Sequence, residues 1–299
     1  MAETNDALLN PAVLARLANT SILARRVVEG FLFGLHRSLY HGFGSEFVHY
    51  RNYAKGDDLK YVDWKLYAKS NRLHTKVFQE ETNTACYIVL DVSASMGYTG
   101  SDGVSKLAYA RMLAACLAYL MHRQGDQVGL FAYGDTLKTA IPPSRQSGHL
   151  PRLCAELEKL RAGGESRPET VLRQLSEHFD RRGLVIFISD LWDSGAGLFR
   201  DLKRFRVQHH DCLMLQVLTP DEVDFKFEGT VRFVDSETAS EIVTAPETVR
   251  ADYQQAVGEW LAEVQRFARQ SELDYQRLMT NEPLATALGH YLNRRASFK

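Results

Sequence analysis

From residue 85 onward the chain alternates short, nearly continuous apolar runs with longer stretches in which apolar residues recur every three or four positions. The first kind reads as strand buried on both faces, the second as helix packed on one. "CYIVLDV" (86–92) is a strand, and "KLAYARMLAACLAYLMHRQ" (106–124) is a helix stopped by Gly125. "QVGLFAYG" (127–134) is a strand, with an edge strand after it at "TLKTAI" (136–141). Helices are predicted over 149–160 and 169–182, then a strand at "GLVIFISDLWD" (183–193), a helix over 197–208 and a strand over 211–218. Beyond these, "TVRFVD" reads as a strand, 249–272 as a long helix, "DYQRLMT" as a strand and 283–295 as a closing helix. This alternation predicts an α/β fold: a doubly wound, mostly parallel sheet with helices on both faces.

The first third of the chain differs. Residues 10–33 read as one helix, with Asn10 as cap and Pro11 at the first helical position. Residues 34–81 are dense in aromatic and basic side chains and carry a turn signal at Gly56-Asp57-Asp58, so short strands and loops are expected there. Asp63 is a candidate ion-pair partner for Arg37 or Arg51. The organisation that follows is an N-terminal unit over 1–81 packed on an α/β domain over 82–299.

Composition narrows the function less than the pattern does. With 299 residues, 45% hydrophobic and 24% charged, the chain has material for one large core or two modest ones. A formal net charge of −1 provides no overall field toward nucleic acid or an acidic membrane. The N-terminus has no basic region followed by an apolar one, and the longest apolar stretch, 107–121, is shorter than the ~20 residues a spanning helix needs. Cys86, Cys116, Cys154 and Cys212 lie far apart in apolar segments with no metal-ligand spacing. A cytoplasmic address with reduced core cysteines is expected.

Candidate chemistry sits where two apolar runs end. The first reaches Asp91 and turns at once into Ser93 and Ser95; the second ends on Asp190. Ligands of an open parallel sheet bind beyond the carboxyl ends of its strands, where strand order reverses. If these strands are neighbours, two carboxylates face one crevice and repel by about 4 kcal/mol at ~4 Å and an effective dielectric near 20. Something positive, or a proton, belongs between them. D-x-S-x-S provides one carboxylate and two hydroxyls from a single turn, and Ser166, after the Gly163-Gly164 pair, is the candidate third hydroxyl, with Thr170 as the alternative. An all-oxygen set of this kind suits a hard divalent cation, Mg2+ first and Mn2+ or Ca2+ next.

These residues resemble the metal-ion-dependent adhesion site of von Willebrand factor A domains. On that resemblance Asp91, Ser93, Ser95 and Asp190 carry over directly as metal residues, while Ser166 stands where such domains usually have Thr. The segment 34–81 narrows the match: Gly34, His36, Arg37, Ser38, Gly42, Glu46, Phe47, Arg51, Tyr53, Gly56, Asp57, Asp58, Asp63, Trp64, Ala68 and Glu81 resemble the signature of the bacterial family called domain of unknown function fifty-eight. The closing "YQRLMTNEPLATALGHYLNRR" is similar to that family's C-terminal end. The resemblance implies a von Willebrand factor A-like, Rossmann-type fold and a non-catalytic protein-interaction module. It also implies partnership with a MoxR-type AAA+ ATPase and a client protein, in maturation, chaperone-like remodelling or metal insertion.

Two other classes compete. Ser93-Ala94-Ser95-Met96-Gly97 resembles the G-x-S-x-G turn of serine hydrolases with its first glycine replaced, but the candidate bases His122, His209, His210 and His290 lie in or after helices with no motif around them. Residues 36–76 hold eight Lys/Arg against four Asp/Glu, interleaved with aromatics that can stack bases. The acids lie within that patch, and aromatics at such spacing more often pack on a sheet, so nucleic acid is not the expected partner.

Overall fold

The computed structural model describes residues 19–36, 49–53, 72–77, 84–192, 196–238 and 240–297, with residues 11, 62, 64, 66 and 67. Helix α1 (Thr20–His36) comes first, then an antiparallel pair, β1 (His49–Asn52) and β2 (His74–Val77). The single helix expected from Asn10 is interrupted: Asn19 has φ 76, and its side chain accepts the Ile22 amide at 3.1 Å, so Asn19 itself caps the N-terminus of α1. The Gly56-Asp57-Asp58 turn, Asp63 and Arg37 lie outside the described residues.

The central sheet is built from β3 (Ala85–Asp91), β4 (Gln127–Tyr133), β5 (Leu137–Ser144), β6 (Gly183–Ser189), β7 (Asp211–Leu218) and β10 (Asp274–Met279). Their spatial order is β10–β7–β6–β3–β4–β5, all parallel except β5, which runs antiparallel to β4. Pro142 and Pro143 fall in β5, the edge strand, where a missing amide costs least. From β3 the chain moves to one side through β4 and β5. It then returns to β6 on the other side and continues outward, so the order reverses between β3 and β6. Asp91 and Asp190 stand at the carboxyl ends of those two strands.

Alternation along β3 assigns its two faces. Cys86, Ile88 and Leu90 pack with α1, α2 (Lys106–Arg123), α3 (His149–Lys159) and α8 (Leu284–Ser297). Tyr87 and Val89 pack with α4 (Pro168–His178), α5 (Ala196–Val207) and α7 (Pro246–Gln270). Helix α2 is buried on nearly all sides because α1 and α8 cover its outer face. Burying α2 is the work the apolar face of α1 does.

Two elements go beyond the pattern read from sequence. A short helix, α6 (Pro220–Asp224), follows β7, and "TVRFVD" pairs as β8 (Val231–Val234) with β9 (Glu241–Thr244) in an antiparallel hairpin outside the main sheet. The predicted strand 183–193 stops at Ser189, and Leu191 then takes φ 63, a left-handed conformation that turns the chain sharply. No helix among the described residues is long and apolar enough to cross a membrane.

Candidate functional site

Asp91, the last residue of β3, is only 1% exposed. Its Oδ1 accepts the Ser93 amide at 2.8 Å, which folds the D-x-S turn back on itself. Its Oδ2 collects three hydroxyls: Ser189 Oγ at 2.8 Å, Tyr133 OH at 3.1 Å and Ser166 Oγ at 3.4 Å. Ser93 Oγ and Ser95 Oγ lie 3.1 Å apart in the same turn. Thus the turn from β3, the ends of β4 and β6, and the loop before α4 converge on one carboxylate.

Backbone contacts hold the Ser166 loop in place. Ala94 N donates to Gly164 O at 2.9 Å, Gly163 N to Val92 O at 3.0 Å and Arg167 N to Gly134 O at 3.0 Å. Gly164 has φ 79, a conformation glycine adopts without steric penalty. Of the two hydroxyls weighed for this loop, Ser166 reaches Asp91. Thr170 instead stands exposed on α4.

Asp190 is buried too, and its carboxylate is not open. Oδ2 accepts Lys106 Nζ at 2.7 Å, Oδ1 accepts the Trp192 amide at 3.3 Å, and the main-chain carbonyl accepts Gln216 Nε2 at 2.9 Å. Lys106 Nζ also donates to Glu222 Oε1 at 2.5 Å. Glu222 belongs to α6 through a capping box: Thr219 N donates to Glu222 Oε2 at 2.8 Å and Glu222 N to Thr219 Oγ1 at 3.3 Å. Trp192 Nε1 donates to Glu222 Oε1 at 2.9 Å, and the Trp192 ring stacks on Trp260 of α7 with centroids 4.3 Å apart. One positive charge therefore stands beside the two acids, on the Asp190 side.

The electrostatics follow from burial. Loss of solvent, and then the charge of Asp190, push the Asp91 carboxyl up to about 6, against the opposing hydrogen bonds of Ser93 and Ser189. Burial and the Asp91 charge also raise the Tyr133 phenol well above its ordinary value, so it remains a donor. Burial disfavours the Lys106 cation, but Asp190 and Glu222 outweigh that and hold its pKa above the ordinary lysine value. The charged form of Asp91 is thus disfavoured, and either a proton or a cation beside it would relieve that.

No group of three or more His, Cys, Asp or Glu able to hold a metal occurs among the described residues. The groups that do converge are hydroxyls around the Asp91 carboxylate, all oxygen, which fits a hard cation such as Mg2+, while the Asp190 carboxylate is shared with Lys106. Of the histidines weighed as a base for Ser93 or Ser95, His122 lies near the C-terminal end of α2 and His209 and His210 precede β7. In this topology those positions are at the opposite end of the strands from Asp91, and His290 is exposed on α8. Lys106, Tyr133, Glu222 and Ser189 are the site residues that the strand-end pattern did not single out.

The strand order and the loop at its point of reversal define the class: a doubly wound α/β protein with a buried cluster of hydroxyls and carboxylates at its strand ends. The chain belongs to the family described as "Protein of unknown function DUF58", whose model matches residues 49–262. It is similar to uncharacterized proteins of Mycobacterium tuberculosis and Mycobacterium bovis, each 27% identical over 265 residues, covering 87% of this chain and 82% of the relative. Among solved structures it is similar to the conserved hypothetical protein BatB from Bacteroides thetaiotaomicron (18% identity, 72% of this chain and 99% of that one, TM-score 0.49). It is also similar to the vWF domain of the type V pili tip protein Mfa5 from Porphyromonas gingivalis (16% identity, 36% and 37%, TM-score 0.31).

Proposed function

We propose that this protein is a non-catalytic interaction module that binds a divalent cation, Mg2+ or else Mn2+ or Ca2+, and through it a carboxylate of a partner. The observation that carries this reading is the convergence of Ser93, Ser95, Ser166 and Ser189 around the buried Asp91, with the charge of Asp190 acting on it. Ser93, Ser95, Ser166 and Asp91 would hold the ion, and Asp190 would add charge from an oxygen already shared with Lys106. The ion would supply an electrophilic anchor for an incoming acid group. The chain's own residues exclude water from one side, keep the hydroxyls aimed at Asp91 and fix the two strand ends relative to each other.

The partner we infer is a MoxR-type AAA+ ATPase acting with this protein on a client, as the family resemblance implies. Placement of His122, His209 and His210 at the opposite end of the strands, with no hydrogen bond among the described residues from these or His290 to Ser93 or Ser95, favours this reading over a serine hydrolase, which needs a base within hydrogen-bond reach of its nucleophile. A pull-down tests it: wild type in Mg2+ captures the ATPase, and chelator or Asp91→Ala abolishes capture. Equal recovery of that ATPase under all three conditions contradicts metal-mediated docking.

A further inference from the structure

The hairpin β8–β9 ends in a turn that its own side chains hold rigid. Asp235 Oδ1 accepts the amides of Glu237 at 2.8 Å and Thr238 at 3.3 Å, and Asp235 Oδ2 accepts Thr238 Oγ1 at 2.6 Å. The turn is closed by Asp235 N donating to Ser240 O at 2.9 Å. Ser236 and Thr238 are exposed, but Glu237 between them is half-buried, because its side chain turns inward. There its Oε2 accepts the Ser166 amide at 3.3 Å. The hydroxyl of that same Ser166 bonds Asp91 at 3.4 Å. A further carboxylate of this chain, besides Asp190 and Glu222, therefore stands one residue from Asp91.

Bringing like charges together in this way is unfavourable unless a donor or a cation compensates. The Ser166 amide provides the donor in the structure as it stands. We propose that Glu237 is an intramolecular stand-in for the partner's acid group, a tethered competitor that occupies the approach to the candidate ion and must withdraw before an outside carboxylate can enter. This rests on the metal-site reading above. The hairpin is built for such withdrawal. Its Phe233 side is anchored on Phe225 (ring centroids 5.4 Å) and Phe227 (5.3 Å), whereas Val234, Ile242 and Val243 are 51%, 66% and 63% exposed. The Glu237–Ser166 bond joins the tip to the loop before α4, apart from the aromatic base at Phe225 and Phe227. The tether makes the internal acid effective at any protein concentration, so an external acid must bind more tightly or arrive in a multivalent assembly.

The test uses the full chain with Mn2+ and acetate as the carboxylate probe. Protein-bound Mn2+ is counted by electron paramagnetic resonance, and access of acetate to the bound ion is read from relaxation of its 13C carboxyl signal. At matched Mn2+ occupancy, Glu237→Gln is expected to raise the acetate relaxation several-fold over wild type. Equal relaxation in the two proteins, with Mn2+ bound and the binding abolished by Asp91→Ala, overturns the tethered-competitor proposal alone. Absence of Mn2+ binding in wild type, or binding unchanged by Asp91→Ala, overturns the metal-site reading and this proposal with it.

Discussion

Lys106 and Asp190 form an ion pair 2.7 Å long in which the two side chains are 1% and 3% exposed. Lys106 is the first residue of α2, at the helix end where the macrodipole disfavours a cation. Two carboxylates, the buried Asp190 and the half-buried Glu222, reverse that preference locally. The pair ties the end of β6 to the start of α2, and Glu222 extends the tie to α6.

Removing the lysine strands both acids. Breaking a buried pair from one side typically destabilises by about 3–5 kcal/mol, since the remaining charge stays desolvated. Lys106→Met is therefore expected to lower the unfolding free energy read from urea denaturation by an amount in that range, and Lys106→Met with Glu222→Gln to recover part of it. A Lys106→Met variant as stable as wild type shows that the charges are solvated in solution.

Tyr133 donates to the Asp91 carboxylate from the neighbouring strand. A hydrogen bond to a charged group contributes about 1.5–3 kcal/mol. Tyr133→Phe should cost an amount of that order in chemical denaturation while leaving the far-ultraviolet circular dichroism unchanged. No measurable loss means that Ser189 and Ser166 satisfy Asp91 without it.

The first two acids and the hydroxyls were legible because they sit at punctuation. Asp91 and Asp190 end apolar runs, and the Gly163-Gly164 pair marked the loop that brings in Ser166. Lys106 was not, because a lysine opening a helix reads as a solvated end. Its conflict with the helix dipole was the available signal. Glu222 was announced by Thr219-Pro220-Asp221-Glu222, a capping-box sequence with Pro at the first helical position. The β8–β9 hairpin escaped because β9 has only four residues and no buried face, so alternation had nothing to register. The predicted helix over 10–33 failed at Asn19, whose left-handed backbone no apolar periodicity reveals.

His210 lies buried against Tyr87, Phe179 and Phe205, and burial lowers its pKa below the ordinary histidine value. The unfolded chain therefore takes up the proton first as pH falls, so the stabilising effect of neutral His210 is complete above about 6.5 and is lost as pH falls through the folded value. Between pH 7.5 and 5.5 wild type should lose more stability than His210→Phe. Identical losses in urea denaturation exclude His210 as a contributor.

The central claim is that Asp91 and its surrounding hydroxyls hold a divalent cation, and melting temperature against metal concentration tests it most directly. Ligand that binds only the folded state stabilises by about 2.7 kcal/mol at one hundred times its dissociation constant. Wild type is expected to melt at progressively higher temperature as Mg2+ or Mn2+ is added, and Asp91→Ala and Ser93→Ala are expected to show no rise. A rise of equal size in all three proteins, or none in wild type, contradicts the account.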